Sequence, residues 1–176
     1  MFTNNYFEML RGVHSYKSAS LRNMVGSDKS FGTSNIANLI YFGKSGTGVS
    51  PYVGVCIKEA PSANNYLSGV CFGSGNTPPT IDDYALSGDY FTTFTATASV
   101  TVDKSDDETS ITALYTLTNT GSDDFTISEI GLAGSGAASA GNHYLFDRTL
   151  LDTPVTIPSG GVGQVTYTLR FKMPTA

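Results

Sequence analysis

Tryptophan is missing from this chain of 176 residues, histidine and cysteine occur twice each, and only 14% of the residues are charged. Each scarcity removes a class of function. His14, His143, Cys56 and Cys71 are too few and too scattered to show zinc-ligand spacing. The ten Lys and Arg form no stripe on a chain of net charge −5, so nucleic acid is not the expected partner. No apolar run reaches the roughly 18 residues that a spanning helix needs, and no membrane partner is expected. The opening "MFTNNYFEML" lacks the basic and then apolar plan of a cleaved export signal, so synthesis in the cytoplasm is expected.

Where charge is missing, Thr, Ser, Gly and Asn stand in its place, a composition typical of β-rich surfaces and of proteins held in assemblies. Hydrophobic residues make up 40% and aromatics 11%, enough to exclude a disordered chain. The length suits one domain with an arm. Without an export signal, Cys56 and Cys71 read as two thiols acting as small apolar residues, with a disulfide between neighbouring strands as the alternative.

Charge divides the chain. Through Ser30, Arg11, Lys17, Arg22 and Lys29 outnumber Glu8 and Asp28, which leaves −7 on the remainder. In the same stretch Tyr6, Met9, Leu10, Val13, Leu21 and Met24 recur at roughly helical spacing, with Asn4 or Asn5 as the N-cap. Gly12 and "SYKSAS" interrupt that pattern, so residues 1–35 are expected to form a broken helix or an arm, and residues 36–176 the main domain. A basic segment beside an acidic body suits docking on a neighbouring subunit, and packing on its own domain is the competing reading.

From Ile36 onward the pattern turns to strands. "NLIYFGKSGTGVS", "YVGVCIKEA" and "YLSGVCFG" are short apolar runs separated by glycine. In "DYFTTFTATASVTV", Tyr90, Thr92, Phe94, Ala96, Ala98, Val100 and Val102 share one face, and Phe91 and a row of Thr and Ser share the other. "ITALYTLTN", "FTISEIGL", "HYLFDRTLL" and "VGQVTYTLRF" continue the strands, separated by turns such as "DKSDDETS" and "NTGSDD". With no helical pattern after residue 30, the expected fold is all-β: an antiparallel, jelly-roll-like β-sandwich.

Between the third and fourth runs lies "SGNTPPTIDDYALSG". Thr80 and Asp83 have capping spacing, so "TIDDYAL" is expected to make one helical turn, with Tyr84 or Leu86 plugging the sandwich. Asp82 and Asp83 then serve caps and solvent, and the corner is a brace. A calcium site built from Asp82, Asp83 and Asp89 is the sharper alternative.

Other apparent motifs fail on spacing. "GKSGTG" has Asn38 where a phosphate loop needs glycine, and the "DKSDDE" hairpin has Glu108 and Leu114 where a calcium loop needs glycine and glutamate. "GLAGSGAASAGN", near His143, Asp147 and Asp152, contains no nucleophile elbow and reads as a surface loop. Glu129 and Asp147 are the one conceivable acid–base pair, but Glu129 inside an apolar strand is expected to meet Arg148 or a backbone amide.

Three segments, in order, resemble structural proteins of tailed bacteriophages. These are the "P-T-x-x-D-x-x-L" corner within "GSGNTPPTIDDYALSG", the "E-I-G-L" strand in "ISEIGLAG", and the closing unit "YLFDRTLLDTPVTIPSGGVGQVTYTLRF" with its arginine and "V-x-I-P-x-G" turn. They cover roughly residues 73–172, and residues 1–70 carry no resemblance. Ala133 stands where these proteins usually place a bulky residue. The resemblance implies a virion component without enzymatic activity or cofactor. It would sit on the capsid or in the neck or tail, contact other virion proteins and form a homo-oligomer. On that reading Phe2, Tyr6, Phe7, Leu10 and Arg11 anchor the arm on a partner, with Tyr16 and Arg22 supporting. The alternative function is a carbohydrate- or receptor-binding module, with or without calcium, using Tyr52, Tyr66, Tyr84 and Tyr144.

Overall fold

The computed structural model describes residues 1–15, 19–31, 69–105, 107–135 and 143–172. Among them are one helix, α1 (Asn4–Ser15), and the strands β1 (Ala19–Arg22), β2 (Asp28–Phe31), β3 (Gly69–Gly73), β4 (Phe94–Lys104), β5 (Glu108–Asn119), β6 (Phe125–Ser135), β7 (His143–Ile157) and β8 (Val162–Lys172). β1 and β2 form a hairpin, and two three-stranded antiparallel sheets, ordered β3-β6-β7 and β4-β5-β8, pack face to face. The hairpins β4–β5 and β6–β7 each stay within a sheet, while the connections out of β3, β5 and β7 cross to the other one. The chain is an all-β sandwich, as its period-two patterns predict.

The core lies between the sheets. Tyr115 and Leu117 of β5 and Val165, Tyr167 and Leu169 of β8 face Phe72 of β3, Ile130 and Leu132 of β6 and Phe146 of β7. In β5 and β8 the inward faces are those that alternation assigns, because each strand has one wet side.

The β3-β6-β7 sheet departs from simple alternation. Every residue of β3 is buried, as are Tyr144 through Arg148 of β7. The β6–β7 ladder shifts register between Ile127 and Glu129, and again between Leu132 and Ala133. Each bulge reverses which residues face the core. Beyond the first, Ile130 and Leu132 point inward, and Glu129 lies on the outer face of the sheet beside Gly131 and Arg148. Cys71, Ala133 and Leu145 form a second, smaller apolar cluster with Leu86. Pro154, which has no N–H to give, falls in the stretch of β7 that the first shift leaves out of the ladder.

Two expected elements differ. The predicted strand at Asp89 begins only at Phe94, and Tyr90 makes an isolated bridge to Gly73. That irregular lead-in buries Phe91, assigned outward by strict alternation, where it stacks on Phe94 and Phe125 with ring centroids 5.0 and 4.5 Å away. At the N-terminus only the first half of the apolar pattern is helical, since Leu21 lies in β1 and Met24 in the turn after it. Nor do Asn4 and Asn5 cap the helix. The carbonyl of Thr3 accepts its first bonds, while Asn4 donates to Asp82 and Asn5 to the backbone of Arg22 and Leu145.

Residues 1–9 thus lie on the chain's own sandwich. Phe2 bridges Asp147 of β7, the Thr3 N–H donates to the Phe146 carbonyl, and Met9 and Leu21 join the core.

Candidate functional site

The densest polar structure in the described chain forms where residues 74–89 cross the outer face of the β3-β6-β7 sheet. At its centre Arg148 is 1% exposed and Glu129 0% exposed, two charges that cannot remain inside a protein without partners. Arg148 Nε donates to Glu129 Oε2 at 2.7 Å and Nη1 to Asp83 Oδ2 at 2.7 Å. Its Nη2 donates to the Thr77 carbonyl and to Ser87 Oγ, both at 2.7 Å, and to Thr77 Oγ1 at 3.1 Å. Glu129 Oε1 accepts the amides of Gly75 and Gly88, each at 2.9 Å, and Oε2 also accepts the Ser87 amide at 3.1 Å. The planar guanidinium fork reaches these partners together, which a lysine ammonium does not.

Local sequence explains the crossing. Gly75 and Gly88 are stacked so closely that a Cβ on Gly75 would lie 1.9 Å from Ser87 Oγ and 2.1 Å from Glu129 Oε1. Their bare backbones let both amides approach one carboxylate. Asp83 closes the corner by accepting the Thr80 amide and hydroxyl at 2.9 Å, and its own amide donates to the Thr80 carbonyl. The expected helical turn is therefore a single hydrogen-bonded turn, because Asp83 is drawn toward Arg148. Neither expected residue plugs the sandwich: Leu86 packs in the second apolar cluster with Cys71, Ala133 and Leu145, apart from the core between the sheets, and Tyr84 lies under Arg22, whose guanidinium carbon is 4.3 Å from the ring centre.

The electrostatics hold the charges in place. Burial pushes the Glu129 carboxyl up, but Arg148 and the amides of Ser87 and Gly88 outweigh it and leave it below the usual range. Burial acts likewise on Asp83 and is outweighed by the Thr80 amide and Arg148. For Arg148 burial favours loss of the proton, and the two carboxylates reverse that. A carboxyl group depressed in the folded state stabilises the fold above its unfolded pKa, near 4 for both types, and that contribution disappears as pH falls through the folded value. We therefore expect the urea midpoint to hold from pH 7 to about 5 and to drop steeply below about 4. An E129Q variant, already weakened at neutral pH, should show a flatter acid limb.

A second buried group ties the N-terminus down. Asp147 Oδ1 lies 2.9 Å from the Met1 ammonium, and its Oδ2 accepts the Tyr167 hydroxyl at 3.0 Å. Burial and then this carboxylate raise the Tyr167 pKa well above its ordinary value. Asp147 on the core side and Glu129 on the outer side are each engaged by their own donors, so the conceivable acid–base pair has no shared cleft. Cys71 is free and buried, its thiol donating to the Gly131 carbonyl, and burial pushes its pKa up to about 12, the behaviour of an inert thiol.

Of the expected assembly residues, Phe2 and Tyr6 are half-buried against the chain's own core and stack on each other at 4.1 Å. Phe7 is 50% exposed, and Arg22 is exposed beside Tyr84. The side chains of Leu10 and Arg11, and all of Tyr16, lie outside the described residues, as do Cys56, Tyr52, Tyr66 and the "GKSGTG" segment. Of the aspartates named for the calcium alternative, Asp83 is paired with Arg148 and Asp82 accepts the side-chain amide of Asn4. Among the described residues no three His, Cys, Asp or Glu side chains gather as a metal site. Tyr144 is fully buried, so it cannot serve as an exposed sugar platform. No described helix is long and apolar enough to cross a membrane.

The pairing of Glu129 with Arg148 and backbone amides is legible in the sequence as a charge inside an apolar strand. The roles of Gly75, Thr77 and Ser87 are not, because small residues in a loop give no sign of which carboxylate their backbone will meet. No family model, curated protein or solved structure matches this chain.

Proposed function

We propose that this chain is a non-enzymatic structural component of a bacteriophage virion, decorating the capsid or forming part of the neck or tail through contacts with other virion proteins. One observation carries the reading. The three segments that resemble phage structural proteins, far apart in sequence, meet in one bonded cluster: Asp83 from the corner, Glu129 from "E-I-G-L" and Arg148 from the closing unit. The cluster has the character of a brace. Its carboxylates are saturated by internal donors, and it locks a loop to a sheet instead of opening to a substrate.

The partner surface on this reading is the Phe7 end of the aromatic row Phe2–Tyr6–Phe7, where Phe7 is 50% exposed. Removing the whole arm would also strip Met9 and Leu21 from the core, so a point substitution is the cleaner probe. Mass spectrometry of density-purified particles from cells carrying the gene should find the chain in the particle fraction. The Phe7→Glu variant should stay folded and be depleted from particles. A chain found only in the soluble fraction sinks the proposal.

A further inference from the structure

The β4-β5-β8 sheet ends on β4, and among the described residues no strand lies on its other side. Sheet edges are usually blunted by charge, proline, glycine or a bulge. β4 has none of these from Phe94 to Val102, and its ladder with β5 runs without a register shift over all eleven residues. The opposite edge, β8, carries Gly163, Arg170 and Lys172.

Burial along β4 fades in one direction. Phe94 is 2% exposed and Ala96 and Ala98 pack partly on the core, but Val100 and Val102, on the same face, are 40% and 54% exposed. An apolar face uncovered at only one end of a strand is self-complementary. Antiparallel pairing lays the bare end of one copy beside the covered end of the other.

We propose that the β4 edge pairs with β4 of a second copy of this chain, antiparallel, about a two-fold axis through Ser99. Two geometric requirements select that register. Opposed residues must share a face, and the longest overlap of Phe94–Lys104 with itself is centred on Ser99. It sets Val100 against the partner's Ala98 and Val102 against its Ala96, a large residue opposite a small one at each step. On the other face it sets Thr97 against the partner's Thr101. The result is a continuous six-stranded sheet with an isologous interface. The inference rests on the strand edge alone and does not depend on the virion reading.

Light scattering over a range of concentrations tests the oligomer, and cross-linking tests the register. The wild type should be a dimer or a larger even-numbered assembly. Val100→Lys sets a lysine against the partner's apolar face and should weaken association by about tenfold or more while the melting curve stays cooperative. In a Cys56→Ser background, Ser99→Cys should form an intermolecular disulfide under mild oxidation, since paired strands bring the Cα atoms within bridging distance. Val162→Cys, on the β8 edge, should not. A monomer at every concentration, an odd-numbered ring, or cross-linking through position 162 in place of 99 overturns the proposal. If Val100→Lys fails to fold, the cross-link comparison decides.

Discussion

Replacing Arg148 with methionine is expected to destabilise the protein by about 3–5 kcal/mol, the usual cost of removing one partner of a buried ion pair. For a domain of this size that lowers the melting temperature by about 10 °C or more. The loss arises less from the missing attraction than from what remains. Glu129, 0% exposed, keeps its amide donors but loses the cation paired with it, and Asp83 and the Thr77 carbonyl lose the donor that holds the corner to the sheet. Arg148→Lys should recover only a small part, because one ammonium replaces a fork with several partners. E129Q should cost a comparable amount, since its new amide group would face the N–H groups of Ser87 and Arg148. The R148M/E129Q double variant should be markedly less destabilised than the two singles added together, a coupling of about 1–3 kcal/mol. Additive losses measured by chemical denaturation would mean that the pair does not act as a unit.

Gly75→Ala and Gly88→Ala should be nearly as damaging, although each adds a single methyl group. At Gly88 the new carbon would sit 2.3 Å from the Gly75 nitrogen and 2.7 Å from its Cα, which are backbone atoms that cannot swing aside. The corner must lift, and lifting it breaks the amide bonds to Glu129. We expect losses of about 3 kcal/mol or more, at the upper end for overpacking. Gly160→Ala provides the contrast. That residue has φ +70° with nothing near the added carbon, so only backbone strain of about 1 kcal/mol applies. If melting curves rank Gly160 with Gly75 and Gly88, close approach is not the reason for the glycines at the corner.

The sandwich was legible because β5 and β8 each have one wet face, and a period of two survives only where that holds. Glu129 was legible for a related reason: a carboxylate in an apolar strand demands a partner, and Arg148 was the nearest candidate in the closing segment. The burial of Phe91 was not legible, because alternation assumes that a strand starts where its pattern starts. The N-terminal segment was ambiguous, since the same apolar residues that suit a neighbour's surface also suit the chain's own β7.

By itself the sequence determined an all-β chain with Thr-rich outer faces, no recognisable catalytic spacing and a stiff corner at residues 74–89. Those properties follow from composition, from local periodicity and from the cost of burying charge, all of which act over short stretches. Only the tertiary structure decided that two bulges in the β6–β7 ladder turn Glu129 and Arg148 onto the outer face of a sheet buried on both sides. Only it decided that Asp83 and the amides of Gly75 and Gly88 meet them there. Register between distant strands is set by the total burial of both faces, and no window of the sequence contains that quantity.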